Sequence, residues 1–431
     1  MAETNSIWKQ LPGPESIRRT QTKNGITVLT FPNIHTRSVY LIGMMESGSA
    51  HEPREKLGLA HFTAGMLTRG TQKRPFSEFH TMMEEKGANL GFTCSTRHTS
   101  FSGRALAEDA DLLIDLAADG LIRPAFEEQY VERLRGQLLA SLAIREQDTS
   151  ENVSMVFDRL LFPGHPFGDP VDGFPETIRD ITREDMMAFH DRYYSPRGMI
   201  IAAAGGVDPQ EIAQLVEKHF GEWQGAGERV PDVPDLPPGP NQIIRSHKHL
   251  EDKSQVDLEM GCYGPARTSD DYIPVYLGNN ILGQFGLMGR IGDAVRSKAG
   301  LAYSASSSVS GWDSGGTWEF GAGTSPDNLE QAIELIRGEI RRYLAEPVTQ
   351  EELDDSRSHL IGRMPLSLES NPGLANALLT MERFGLGLDY YQKYPGRLKK
   401  ISAQDILEAS RKYLDADKLV VASAGPREDI P

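Results

Sequence analysis

Apolar and polar residues alternate over residues 38–47 (Ser-Val-Tyr-Leu-Ile-Gly-Met-Met-Glu-Ser), a period of two that predicts a half-buried β-strand. Helical spacing follows over residues 57–68 and 77–86, then two strand-like runs over 88–96 and 99–105, then a helix over 108–121. The same order returns downstream. Residues 255–263 alternate like the first strand, helices are predicted over 272–282 and 288–298, strands over 301–310 and 317–324, and a helix over 328–345. Each series closes with helices, 127–146 and 184–194 in the first, 350–363 and 403–414 in the second. A Gly/Ala-punctuated strand ends each, 198–207 and 418–425.

One turn shows the repeat most clearly. Residues 82–92 (Met-Met-Glu-Glu-Lys-Gly-Ala-Asn-Leu-Gly-Phe) align with residues 293–303 (Asp-Ala-Val-Arg-Ser-Lys-Ala-Gly-Leu-Ala-Tyr), each placing a lysine and a glycine where a helix stops and a strand starts. Between the halves, residues 225–240 are crowded with proline and glycine, which deny the backbone both helix continuation and ladder donors. The expected organisation is therefore a first domain at 1–224, a linker at 225–242 and a second domain at 243–431. Antiparallel hairpins with segregated helices make the expected class α+β, each domain a mainly antiparallel sheet with helices packed on it.

The formal charge of −16, with Asp and Glu outnumbering Lys and Arg 61 to 45 and no basic stripe, excludes nucleic acid as a partner. Such a field would favour a basic partner or substrate, and equally keeps a chain of this size in solution. No apolar run reaches membrane-spanning length, and the first 25 residues are polar without a signal-peptide core, so a cytoplasmic protein is expected. The two cysteines, Cys94 and Cys262, are expected as buried thiols in a reducing compartment.

The chemistry concentrates in residues 58–71, which begin Gly58-Leu-Ala-His61-Phe-Thr-Ala64-Gly65. A His-x-x-Glu-His helix sets two imidazoles on one face to hold zinc, with the carboxylate beside them to activate water. Here His61 alone remains. Ala64 and Gly65 stand where the base and second ligand would be, and neither coordinates a metal nor moves a proton. Other candidates read as structure: His165 as a turn residue, His247 and His249 as part of a surface strand, and the Met82-Met83 and Met186-Met187 pairs as core.

With residues 161–168 (Leu-Phe-Pro-Gly-His-Pro-Phe-Gly), the Tyr193-Tyr194-Ser-Pro196 turn and Arg296-Ser-Lys-Ala-Gly-Leu-Ala-Tyr303, the chain resembles the insulinase-like, or pitrilysin-type, metallopeptidases along nearly its whole length. The resemblance implies a two-domain chain forming half of a clam-shaped dimer. Active relatives take a third zinc ligand, a glutamate, ahead of an Arg-Glu-x-Asp stretch; here that stretch is Arg145 to Asp148 and the matching positions are Ala140 and Ser141. Glu146 is the nearest carboxylate and would not repair the loss at Ala64 and Gly65. One histidine cannot hold a catalytic zinc, so no metal or cofactor is expected in this chain.

The resemblance also implies that Arg296 and Tyr303 face a zinc site across the chamber and bind the substrate carbonyl and its oxyanion. Read from the residues alone, they are a dipole-compensating arginine and a packed strand tyrosine. A glycine-containing segment ahead of them, residues 282–290, lacks the Gly-Lys-Ser/Thr of a phosphate loop and would permit close chain approach. The expected function is a non-catalytic, substrate-binding subunit of a heterodimeric zinc metallopeptidase, with zinc on a homologous partner chain and peptides as substrates. The alternative is an inert scaffold or peptide-binding relative.

Overall fold

The structure is a computed structural model that describes residues 11–225 and 232–426, with Leu287 and Met288 described as backbone. The chain divides into two compact units, each assembled from three stretches of sequence. Residues 226–231 of the expected linker lie outside the described residues, and residues 232–240 carry no helix or strand.

The first unit comprises Met1–Leu142, Pro170–Val233 and Pro365–Gln392. Its strands are β1 (Arg18–Gln21), β2 (Thr27–Pro32), β3 (Ser38–Met45), β4 (Asn89–Cys94), β5 (Thr99–Leu106) and β6 (Ile200–Gly205), in spatial order β1-β2-β6-β3-β5-β4. All neighbours are antiparallel except β2 with β6. Alternation in β3 sends Val39 and Leu41 into the core. There they pack with Phe62, Met66, Phe79 and Phe101.

The second unit comprises Ala143–Asp169, Pro234–Met364 and Lys393–Pro431. Its strands are β7 (Ile244–His249), β8 (Val256–Gly264), β9 (Ala302–Gly311), β10 (Gly316–Thr324) and β11 (Val420–Gly425), in order β7-β11-β8-β10-β9. Again one pair is parallel, β11 with β7, and the others are antiparallel. The helix Leu329–Ala345 buries Leu329, Ala332, Ile333, Ile336, Ile340 and Tyr343, the stripe that a 3.6-residue period produces, in one core with Trp318 and Phe320 of β10.

Each unit takes one covering helix from the far half of the sequence. Asn371–Arg383 packs on β6, β3 and β2 of the first sheet, where Arg19 pairs with Glu382 at 2.8 Å and the Asn371 amide donates to Ser38 and Thr36. Thr149–Leu161 packs on β11, β8 and β7 of the second, burying Val153, Phe157 and Leu161 against Val420, Ala422 and Ala424. These two helices were not among those expected from periodicity.

The repeated turn reads the same in both units. The helix Phe76–Glu85 ends at Lys86, and Gly87 takes φ 58° before β4. The π-helical turn Asp293–Lys298 ends likewise, with Gly300 at φ 65° before β9. Only glycine adopts that left-handed geometry at no steric cost.

Candidate functional site

His61, Ala64 and Gly65 lie on the helix Leu59–Met66 of the first unit. That helix is held as structure. The Glu52 carboxylate accepts from the backbone N–H groups of Gly58 and Ala60 at 2.8 and 2.7 Å, satisfying donors that a helix start leaves open. Phe62 and Met66 are fully buried. Beyond the helix, Thr71 and Arg74 donate to the buried Asp119 at 2.6 and 2.7 Å.

The residues present do not fit zinc. Ala64 is buried to 2% exposure, and a Cβ placed on Gly65 would stand 2.9 Å from Cδ2 of Leu134. A methyl of Leu134, from the neighbouring helix Glu128–Arg145, thus crowds the point where the side chain of a second ligand would begin. Ala140 and Ser141 are exposed positions on that helix. Burial lowers the His61 pKa, opposed by the Asp172 charge. Among the described residues, no three His, Cys, Asp or Glu side chains are grouped so as to hold a metal ion.

Arg296 and Tyr303 are brought together in the second unit. Arg296 sits in the π-helical turn, and its guanidinium carbon lies 5.8 Å from the centroid of the Tyr303 ring, within cation–π reach. Tyr303 is not the packed strand residue that its alternation suggests. β9 opposes β10 as Ser304↔Gly323 and then Ala302↔Thr324, so Tyr303 occupies a bulge. A bulge re-aims a side chain, and Tyr303 is 85% exposed.

His165 and His247 have structural partners. His165 Nδ1 accepts from the Phe167 N–H at 3.1 Å and its Nε2 donates to the Pro234 carbonyl at 3.0 Å. His247 of β7 bonds Ser423 at 2.8 Å. Cys262 is a buried free thiol as expected, whereas Cys94, near the sheet edge on β4, is only half-buried; desolvation pushes each up to about 12, which keeps both protonated.

A polar face beside Tyr303 escaped the sequence reading. Trp318, Phe320 and Ala322 of β10 point into the core, leaving Glu319, Gly321 and Gly323 on the opposite face. Across the strands this face makes three rungs: Asp257–Gly323–Ser304, Glu259–Gly321–Ser306 and Gly261–Glu319–Ser308. The signal was present as period-two alternation of Asp, Glu, Gly and Ser; it lacked the register that sets the rungs side by side.

A profile of the insulinase peptidase family M16 matches residues 28–166, and one of the peptidase M16 inactive domain matches residues 180–360. The chain belongs to the insulinase-like M16 family. An uncharacterized zinc protease of Mycobacterium bovis is 29% identical over 426 residues, 96% of this chain and 95% of that one. Another, of Streptomyces coelicolor, is 27% identical over 382 residues, 88% of this chain and 83% of that one. Among solved structures, a peptidase M16 inactive domain from Pseudomonas fluorescens superposes with TM-score 0.88 at 24% identity, covering 95% of this chain and 98% of its own. A protease from Helicobacter pylori gives 0.88 at 20% identity, covering 96% and 100%. These likenesses bear out the two-domain α+β family fold. Among the described residues no helix is long and apolar enough to cross a membrane.

Proposed function

We propose that this M16 chain is the zinc-free, substrate-binding subunit of a peptidase pair. A homologous partner carries the zinc and the glutamate base, and this chain supplies Arg296 and Tyr303 to the peptide. One contrast carries the reading: Ala64 and Gly65 offer no base or ligand and a leucine methyl crowds the latter, while Arg296 and Tyr303 stand together with the tyrosine turned out by a bulge. Filling the first position with apolar packing is how a fold relinquishes a metal. Holding an arginine and an exposed phenol side by side is how it keeps two fixed donors.

Peptide hydrolysis develops negative charge on the scissile carbonyl oxygen, and donors aimed at that charge lower the barrier. A guanidinium N–H and a phenolic O–H suit the task. Neither replaces a base, so the chain alone would hydrolyse nothing. Substrate would lie extended, its backbone adding to a sheet edge and its side chains seeking pockets. The names of the zinc-protease relatives are consistent with a peptide substrate.

The test is metal analysis of the purified chain, followed by peptide cleavage with and without an M16 partner bearing an intact His-x-x-Glu-His helix. No stoichiometric zinc and no cleavage alone, with chelator-sensitive cleavage on mixing, is the expected result. One tightly held zinc per chain sinks the reading. Mixed-complex turnover indifferent to Arg296 and Tyr303 would favour a scaffold.

A further inference from the structure

The face of the first sheet turned away from its core sets another arginine beside another tyrosine. β3 and β5 pair with Tyr40 directly across from Arg104, on the face opposite the core residues Val39, Leu41 and Phe101. Both line a cavity of about 660 Å³, a volume in the range of small-ligand sites, built by the first unit alone. Two residues along β5 from Arg104, Leu106 gives this cavity an apolar wall and is 47% exposed. Pro372, in the first turn of the covering helix Asn371–Arg383, adds further apolar surface.

Much of the polar lining is already engaged. Asn371 donates to Thr36 and to Ser38 at 3.1 Å each, and Lys86 pairs with Asp109 at 2.9 Å. Arg104 and Tyr40 differ: among the described residues, no carboxylate pairs with the guanidinium and nothing bonds the phenol. Glu369 is the single carboxylate of the lining, exposed and joined to neither cation. Two cations to one carboxylate reverse the balance of the whole chain, whose formal charge is −16. The cavity therefore combines apolar walls with two free donors, one of them permanently charged.

We propose that this cavity holds the C-terminal residue of a peptide, its carboxylate on Arg104 and Tyr40 and its apolar side chain against Leu106 and Pro372. The inference rests on the peptide-binding role above and adds to it an anchor for the end of the substrate. A guanidinium fork binds a carboxylate through two parallel N–H bonds, and the phenol beside it supplies a third donor. Within a peptide, only the last residue carries a carboxylate and an apolar side chain together. Aspartate and glutamate bring the charge without the apolar surface.

Binding to the free chain tests this without partner or zinc, so it succeeds or fails separately from cleavage by a mixed complex. The probes are two short peptides tagged with a fluorophore at the N-terminus, both ending in leucine, one as the free acid and one as the carboxamide. Fluorescence anisotropy is expected to show the acid bound about tenfold more tightly, as one charge-assisted contact provides. Changing the terminal leucine to serine should weaken the acid severalfold, because an apolar side chain no longer leaves water. In Arg104→Gln the preference for the acid should vanish, with the thermal midpoint close to the parent's because the side chain is exposed. Tyr40→Phe, which removes only the hydroxyl, should narrow the preference. Equal affinity for acid and amide, absence of binding by either, a preference that survives Arg104→Gln, or indifference to the terminal leucine would each overturn the anchor.

Discussion

The Arg296 guanidinium carbon lies 5.8 Å from the centroid of the Tyr303 ring, joining a π-helical turn to the bulged start of an edge strand. π-Helical turns and bulges both recur at functional sites, because each displaces a side chain from the position that regular geometry would assign. In the reconstituted pair, Arg296→Ala or Tyr303→Phe should lower turnover about tenfold or more, as loss of an oxyanion donor does. Unfolding free energy should change by no more than about 1 kcal/mol, the value of an exposed cation–π pair. Steady-state cleavage and denaturant titration read the two effects separately.

Restoring the motif should not restore the metal. Gly65→His would bring a Cβ to 2.9 Å from the Leu134 Cδ2 methyl, and overpacking of this kind costs about 1–3 kcal/mol. In Ala64→Glu/Gly65→His the third-ligand positions remain Ala140 and Ser141, so zinc by metal analysis should stay well below one per chain. Thermal unfolding should show a lowered midpoint.

The acidic face of the second sheet makes stability depend on pH, because burial raises Glu259 there and Asp158 on the covering helix. Unfolded, Asp158 and Glu259 release protons near pH 4; folded, they keep them until about 7. Between those values the unfolded state binds fewer protons, so raising the pH weakens the fold, and the loss is complete above about 7. Glu259→Gln should flatten this slope and raise the melting midpoint at pH 8 relative to the parent chain.

A second titration sits in the first unit. His219 is held above the usual imidazole range first by its hydrogen bond to Asp115 and then by Asp111, which it meets at 3.1 and 2.6 Å. A raised histidine contributes stability that is full below its unfolded pKa of about 6.5 and is lost as pH rises through the folded value. His219→Gln should therefore lower the melting midpoint at pH 6 and leave it little changed at pH 9. An equal deficit at both would disprove the ion pairs.

The exchange of covering helices predicts that the sequence halves do not fold separately. A fragment of residues 1–224 lacks Asn371–Arg383, whose Leu374, Ala377, Leu378 and Met381 are buried. Each large apolar side chain left uncovered forfeits about 1.5–3 kcal/mol. The fragment should bind a hydrophobic dye and melt without a sharp transition. Appending residues 365–392 through a flexible linker should restore cooperativity.

Several elements were legible as local patterns. The strand expected over 38–47 is Ser38–Met45, that over 99–105 is Thr99–Leu106, and the helix over 328–345 is Leu329–Ala345. Their periodicity is strong because one face is buried and the other is not. Thr149–Leu161 and Asn371–Arg383 were harder to read. The second opens on Pro372-Gly373, which resembles a loop, although proline is well tolerated in a helix's first turn. The strands β1 and β2 are short, and β2 is buried through most of its length, so alternation barely shows.

The sequence by itself determined the two repeated series of elements, their helix-stopping glycines, and the absence of a base and second ligand at Ala64 and Gly65. These depend on residue type and on spacing within a turn or two, where local sterics and chemistry rule. Only the tertiary structure decided which helix covers which sheet, that Tyr303 is turned outward beside Arg296, and that Asp257, Glu259 and Glu319 share one face with a row of serines. Those outcomes depend on strand register and on packing between segments far apart in the chain. A slip of one residue in the pairing would have sent the same side chains to the opposite face.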